Sequence, residues 1–280
     1  MKVLRSALYM PSSNTRALEK AKAIPADALI FDLEDAVAPD AKELARAQAC
    51  AAVASRAYAG SVVTIRCNGL DTPWGEADLR AAGAAGPDAV VVPKVSGVAH
   101  LDRVVALLPE GIAVWAMVET PTAVFDVRAI AAHPRVEALV LGTNDLAKEL
   151  RAALLPGREA LVPHLTTALL AGREAGIAVL DGVWNDVRDL AGFEAECLQG
   201  AQLGFDGKTL VHPTQVEVAN RVWAPTADEV VAARAVVEAF AEAGRAGRGV
   251  VVVDGRMVEN LHRDIALRTL ATADAIAAKP

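Results

Sequence analysis

The chain has little of several things, and each shortage removes a class of function. Cysteine occurs only three times, at Cys50, Cys67 and Cys197. An odd number with no C-x-x-C spacing supports neither a disulfide framework nor a zinc site, so the three read as buried thiols. Positive charge is in deficit: 28 Lys and Arg against 35 Asp and Glu leave a formal charge of −7. No basic stripe offsets that field for a nucleic acid or an anionic membrane. No apolar run approaches the length that crosses a bilayer. The opening MKVLRSALYMPSS meets a proline before a secretory core could form, so a soluble cytoplasmic protein is expected. No low-complexity stretch or linker stands out, and no G-x-G-x-x-G follows the first apolar run, which weakens a dinucleotide-binding reading.

What is present is an alternation of short apolar runs and helix-like segments in a 280-residue chain. Strands are expected at about 4–9, 27–32, 61–66, 88–92, 112–118, 137–141, 176–180 and 201–205. Their two-sided apolar character, as in DALIFDL, suits parallel strands covered on both faces. Between them lie helices such as REALVPHLTTALLAGREAG, with Gly176 placed as a C-cap. This pattern predicts an α/β fold, a closed (β/α)8 barrel over 1–222. Residues 223–280 differ. Thr226 and Glu229 form a capping box before a helix, GVVVVDGRMVEN reads as a hairpin around Asp254-Gly255, and a last helix starts near Asn260. Such a segment cannot join a finished barrel, so a lid across a mouth, its own or a neighbour's, or an oligomer contact is expected.

Polar residues follow the apolar runs with regularity: Arg66, Lys94, Glu119, Asp145 and Asp181 each stand just after one. Side chains at the carboxyl ends of barrel strands converge on one mouth, where chemistry gathers. Glu119 and Asp145 supply hard oxygen donors that suit Mg²⁺, or they cap the helices that follow them. Arg66 has the guanidinium fork that receives a carboxylate. Glu34 and Asp35, in FDLED, bring two more acids to the same mouth. Lys94 could form a Schiff base, but acids around it would keep the ammonium protonated, so a charge-balancing role is expected. The segment PSSNTRALEKAK offers backbone N–H groups with Arg16, Lys20 and Lys22 for phosphates, or a solvated helix face. The five histidines show no ligand spacing, and His212 in LVHPTQ is expected to hold a turn.

Taken together, RSALYMPSSNTRALEKA, DALIFDLEDAVAPDAK, TIRCNGLDTPWGEADL, VVPKV, VETP, GTNDLAKEL, LGFDGKTLVHPTQ and VVDGRMVEN resemble the citrate lyase β-subunit-like CoA-ester lyases of the HpcH/HpaI aldolase family. The resemblance covers nearly the whole chain. It implies a trimeric or hexameric, Mg²⁺-dependent barrel enzyme acting on a coenzyme A thioester and a 2-oxoacid, with Glu119 and Asp145 as metal ligands. It places Glu34 and Asp35 around the hydrated metal and the substrate, one of them orienting Arg66.

The expected reaction is reversible Claisen-type cleavage of a malyl-, citramalyl- or citryl-CoA-type thioester. The products would be acetyl-CoA or a homologue and a 2-oxoacid. One alternative is a malyl-CoA-type thioesterase, in which the same site directs water at the thioester; a second is a non-catalytic acyl-CoA-binding subunit. One departure stands out. The resembling lyases carry Met, an aliphatic residue and an Asp in the appendage hairpin, that Asp being the acid/base delivered to a neighbouring subunit. Here the stretch is Met257, Val258, Glu259, so Glu259 is the expected catalytic acid/base and Asp254 the alternative.

Overall fold

The computed structural model describes residues 3–58, 60–245, 251–253 and 255–279. They divide into two compact units, 4–222 and 223–280 together with 1–3. The first is a closed barrel of eight parallel strands in sequence order: β1 Ser6–Pro11, β2 Ala28–Asp32, β3 Val62–Arg66, β4 Ala89–Val92, β5 Ala113–Val118, β6 Val136–Leu141, β7 Ala178–Asp181 and β8 Gly207–Leu210. Helices α1 Thr15–Ala21, α2 Lys42–Ala54, α3 Gly75–Ala85, α4 Val98–Val105 and α5 Pro121–Ala131 follow the first five strands. The connection from β6 to β7 holds both α6 Thr143–Leu150 and α7 Val162–Ala175, while α8 Leu190–Leu203 and α9 Gln215–Val222 complete the ring. Gly176 caps α7 in the left-handed conformation, with φ +71°.

Alternate residues of the strands fill the barrel. Ala7, Ile30, Val91, Trp115, Met117, Val140 and Leu180 form one buried cluster, against which Tyr9 packs. Successive strand residues point to opposite faces, so these inward positions fix which flanking residues can reach the mouth. Closure requires β8 to pair with β1, Ser6 opposite Lys208. A Cβ at Gly207 would overlap the backbone of Leu4 and Arg5, so glycine allows this seam to close.

The eighth strand corrects the sequence expectation. Residues 201–205 are the end of α8 and its left-handed Gly204 cap, with φ +106°, and the strand is 207–210. Lys208 hid it, because its charge interrupts the apolar pattern, yet the side chain is completely buried. Two of the expected buried thiols, Cys67 and Cys197, are buried, while Cys50 is half-buried.

The second unit consists of α10 Ala227–Arg245, an antiparallel pair β9 Val251–Val253 and β10 Arg256–Val258, and α11 Asn260–Ala277. The capping box is formed: Thr226 N–H donates to Glu229 Oε2 at 2.8 Å and Glu229 N–H to Thr226 Oγ1 at 3.2 Å. No described helix is long and apolar enough to cross a membrane.

Candidate active site

Arg66 ends β3 with its side chain buried, and the strand register sets Asp32 beside it. The guanidinium forks onto that aspartate, Nε to Oδ1 at 2.6 Å and Nη2 to Oδ2 at 2.7 Å. Nη1 lies 2.8 Å from Glu34 Oε2 and 3.6 Å from Asp35 Oδ2. The group also sits over the Tyr9 ring, 4.6 Å from its centroid. Burial opposes the charge on Arg66, but Asp32 foremost outweighs it and holds the pKa above the ordinary arginine value. Asp32 therefore orients Arg66, with Glu34 second and the exposed Asp35 at the rim. The sequence reading overlooked Asp32. The signal was its parity: it lies two residues beyond inward-facing Ile30, as Arg66 lies two beyond Thr64.

Asp32 shapes the following loop as well, accepting from the N–H groups of Glu34 at 2.9 Å and Ala36 at 3.1 Å. That turn carries Glu34 back toward the guanidinium. Burial raises the pKa of Glu34, while Arg66 lowers it.

Glu119 follows β5 in the inward parity of Trp115 and Met117, and is 2% exposed. It does not cap α5; Thr120 does, accepting from Ala123 N–H at 3.1 Å. Instead Glu119 Oε1 accepts from the backbone N–H of Lys94 at 2.6 Å. Lys94 presents that N–H from a left-handed conformation, with φ +49°. At the end of the adjacent strand β6, Gly142 leaves the space for the carboxylate, since a Cβ there would collide with Glu119 Oε2 and Cβ. Burial, and then the neighbouring Glu34, push the Glu119 carboxyl up to about 7. Asp145 is half-buried in the first turn of α6. Both acids line a cavity of about 420 Å³ with Tyr9, Asp32, Arg66 and Asn144.

This donor set fits Mg²⁺. It is all oxygen, supplied by Glu119 and Asp145 at one cavity. Two carboxylates with space for water and substrate are what Mg²⁺ takes. The absence of a Cβ at Gly142 leaves room for Glu119 Oε2.

Lys94 Nζ lies 3.4 Å from Glu34 Oε1. Burial pulls its pKa down, but Glu34, Glu119 and Asp145 raise it to a net value above ordinary lysine. A protonated ammonium is no nucleophile, so the geometry supports charge balance rather than a Schiff base.

Other expected residues lie elsewhere. Asp181 does not face the mouth. Leu180 points inward, so its neighbour points out toward the helices, where Asp181 bonds Arg158 Nη1 at 2.7 Å and Lys208 Nζ at 2.9 Å. Lys208 also reaches Glu196 at 2.7 Å, completing a buried ion cluster. Of the α1 cations, Lys22 is paired with Glu19 at 2.7 Å, while Arg16 and Lys20 are exposed. Glu259, in the second unit, stands exposed at the N-cap of α11, its N–H donating to His262 Nδ1 at 3.0 Å. Asp254 lies outside the described residues. His212 accepts from Thr214 N–H at 3.3 Å, holding a turn.

The HpcH/HpaI aldolase/citrate lyase family model matches residues 5–213. A (3S)-malyl-CoA thioesterase of Cereibacter sphaeroides (strain KD131 / KCTC 12085) is 50% identical, the match covering 98% of this chain and 96% of the relative. The citrate lyase subunit beta of Escherichia coli (strain K12) is 35% identical over 96% of this chain and 93% of its own. Among solved structures, CitE of Mycobacterium tuberculosis, in complex with magnesium, acetoacetate and coenzyme A, superposes with a TM-score of 0.79 at 27% identity, covering 96% of this chain and 97% of that one. A model match over most of the barrel and full-length identity above one third place this chain in the HpcH/HpaI aldolase/citrate lyase family.

Proposed function

We propose that the protein is an Mg²⁺-dependent thioesterase acting on a malyl-CoA-type thioester. The observation that carries this reading is the 50% identity over 98% of the chain to proteins named (3S)-malyl-CoA thioesterase, against 35% to citrate lyase subunit beta. It reverses the order of the two reactions expected above, placing hydrolysis before carbon–carbon cleavage. The magnesium and coenzyme A bound by the M. tuberculosis relative support the cofactor and the substrate class.

Glu119 and Asp145 would hold the ion. When bound, Mg²⁺ acts as a Lewis acid, drawing electron density from substrate oxygens. Arg66 receives the substrate carboxylate through the N–H groups that Asp32 and Glu34 leave open. Glu34 sits between two cations, 2.8 Å from Arg66 and 3.4 Å from Lys94, with a pKa raised by burial. It would take a proton from water as the water oxygen bonds the thioester carbon. The carbon–sulfur bond then breaks, and the departing CoA sulfur takes up a proton. Asp35, exposed at the rim, adds negative charge beside Glu34 and Arg66. Arg16 and Lys20, with Lys22 behind its ion pair, are the cations proposed for the CoA phosphates. Glu259 is the proposed acid/base that one protomer lends to its neighbour in a homotrimer or hexamer.

A panel of malyl-, citramalyl- and citryl-CoA with purified protein and Mg²⁺ tests the reading, with free thiol and 2-oxoacid followed separately. Thiol without oxoacid is the expected result. Oxoacid without thiol establishes the lyase instead, and neither product leaves an acyl-CoA-binding role.

A further inference from the structure

Tyr9 stands where β1 opens into the cavity. It points into the barrel, its ring packed on the inner cluster and its body half-buried. The Arg66 guanidinium lies 4.6 Å above that ring. The hydroxyl shares its surroundings with Asp32, Glu34, Glu119 and Arg66, all close enough to act on its ionisation. It forms a hydrogen bond with none of the described residues. Burial foremost holds the phenol above its ordinary pKa, so it remains a neutral O–H donor throughout the working range.

An uncommitted donor at this point matters because of how Arg66 is used. A guanidinium has five N–H groups. Here Nε and Nη2 donate to Asp32, while Nη1 is ion-paired with Glu34. The fork that would grip a carboxylate on two sides is occupied by the protein's own aspartate. A substrate carboxylate meets only the remaining N–H directions, beside three acids that repel it. A further donor must supply the missing contact, and Tyr9, whose ring lies under the guanidinium, carries one.

We propose that the Tyr9 hydroxyl is a substrate-binding group, donating to the carboxylate of a short 2-hydroxy or 2-oxo acid portion of the substrate while its ring supports Arg66. This rests on the function proposed above only for the choice of ligand. The ring and the hydroxyl have separable roles: the ring carries the cation, and the hydroxyl recognises the anion.

Tyr9→Phe separates them, because it keeps the ring and removes an unpartnered hydroxyl. Isothermal titration with L-malate and with pyruvate, at saturating Mg²⁺, reads the contact without turnover. A hydrogen bond to a charged partner predicts binding weakened by about 10- to 100-fold in Tyr9→Phe. Mg²⁺ affinity and melting temperature should stay at wild-type values. Tyr9→Leu, which also removes the support for Arg66, should lose both acid binding and thermal stability. Equal affinities of wild type and Tyr9→Phe for both acids overturn the inference, as does a wild type that binds neither. Product analysis of the thioester panel is read independently, so lyase products with impaired acid binding in Tyr9→Phe would refute the thioesterase reading and leave this one standing.

Discussion

Asp32→Asn should damage both the stability of the barrel and the site. In the native protein Asp32 is completely buried and Arg66 is 8% exposed. Two short charge-assisted bonds join them, at 2.6 and 2.7 Å. The amide keeps one oxygen, enough for only one of the turn N–H groups that now reach Oδ1 from Glu34 and Oδ2 from Ala36, and it presents an NH₂ group to a guanidinium that has no lone pair to receive it. Breaking a buried pair by removing one partner costs about 3–5 kcal/mol. Glu34, already 2.8 Å from Nη1, takes over part of the charge, so the lower end, about 3 kcal/mol, applies. At about 2–4 °C per kcal/mol for a domain of this size, the melting temperature should fall by roughly 6–12 °C. A freed Arg66 swings toward Glu34, and kcat/KM should drop by about 10²-fold or more, equivalent to roughly 3 kcal/mol in the transition state. Calorimetric unfolding of wild type, Asp32→Asn, Arg66→Met and the double variant gives the coupling energy directly. A coupling near zero, or an Asp32→Asn melting temperature within about 1 °C of wild type, refutes Asp32 as the residue that holds Arg66.

Three other outcomes are expected. Gly142→Ala forces a methyl group into the Glu119 carboxylate, so it should weaken Mg²⁺ binding as Glu119→Gln and Asp145→Asn do; titration calorimetry with the metal alone reads all three, and native affinity in Gly142→Ala removes Glu119 as a ligand. Although burial of Asp181 would raise its pKa, Lys208 and Arg158 together hold it below the ordinary carboxylate value. Its contribution to stability is therefore present above the unfolded pKa of about 3.9 and is lost as pH falls through the lower folded value. The urea-unfolding gap between wild type and Asp181→Asn should be constant from pH 7 to 5 and narrow progressively as pH falls below 4; a gap that does not narrow contradicts the ionised cluster. Glu259→Gln mixed with Arg66→Lys should regain turnover in hybrid oligomers, whereas hybrids as inactive as either parent remove Glu259 as an acid/base acting between protomers.

How far the sequence could be read depended on what each residue faces. Seven strands were legible because their apolar runs are continuous, and Arg66, Glu119 and Asp145 because polar residues at strand ends are conspicuous. The eighth strand was not, because Lys208 is a buried cation whose partners, Asp181 and Glu196, are remote in sequence. Asp181 was misread for a related reason. It terminates a strand as Glu119 follows one, and only parity against Leu180 separates the outward residue from the inward one. Asp32 was passed over because it looks like the last residue of a strand beside two more prominent acids, and only the register with Arg66 shows which carboxylate the guanidinium takes. Arg158, held within the ion cluster from a left-handed backbone with φ +54°, carries no local signal of burial.

The direct test of hydrolysis is to incubate (3S)-malyl-CoA with the Mg²⁺-loaded protein in oxygen-18 water and to analyse the organic acid by mass spectrometry. If water attacks the thioester carbon, malate appears in step with free CoA and carries one heavy oxygen in the carboxylate formed from the thioester. Acetyl-CoA and glyoxylate, with no labelled malate and no free thiol, would contradict the account.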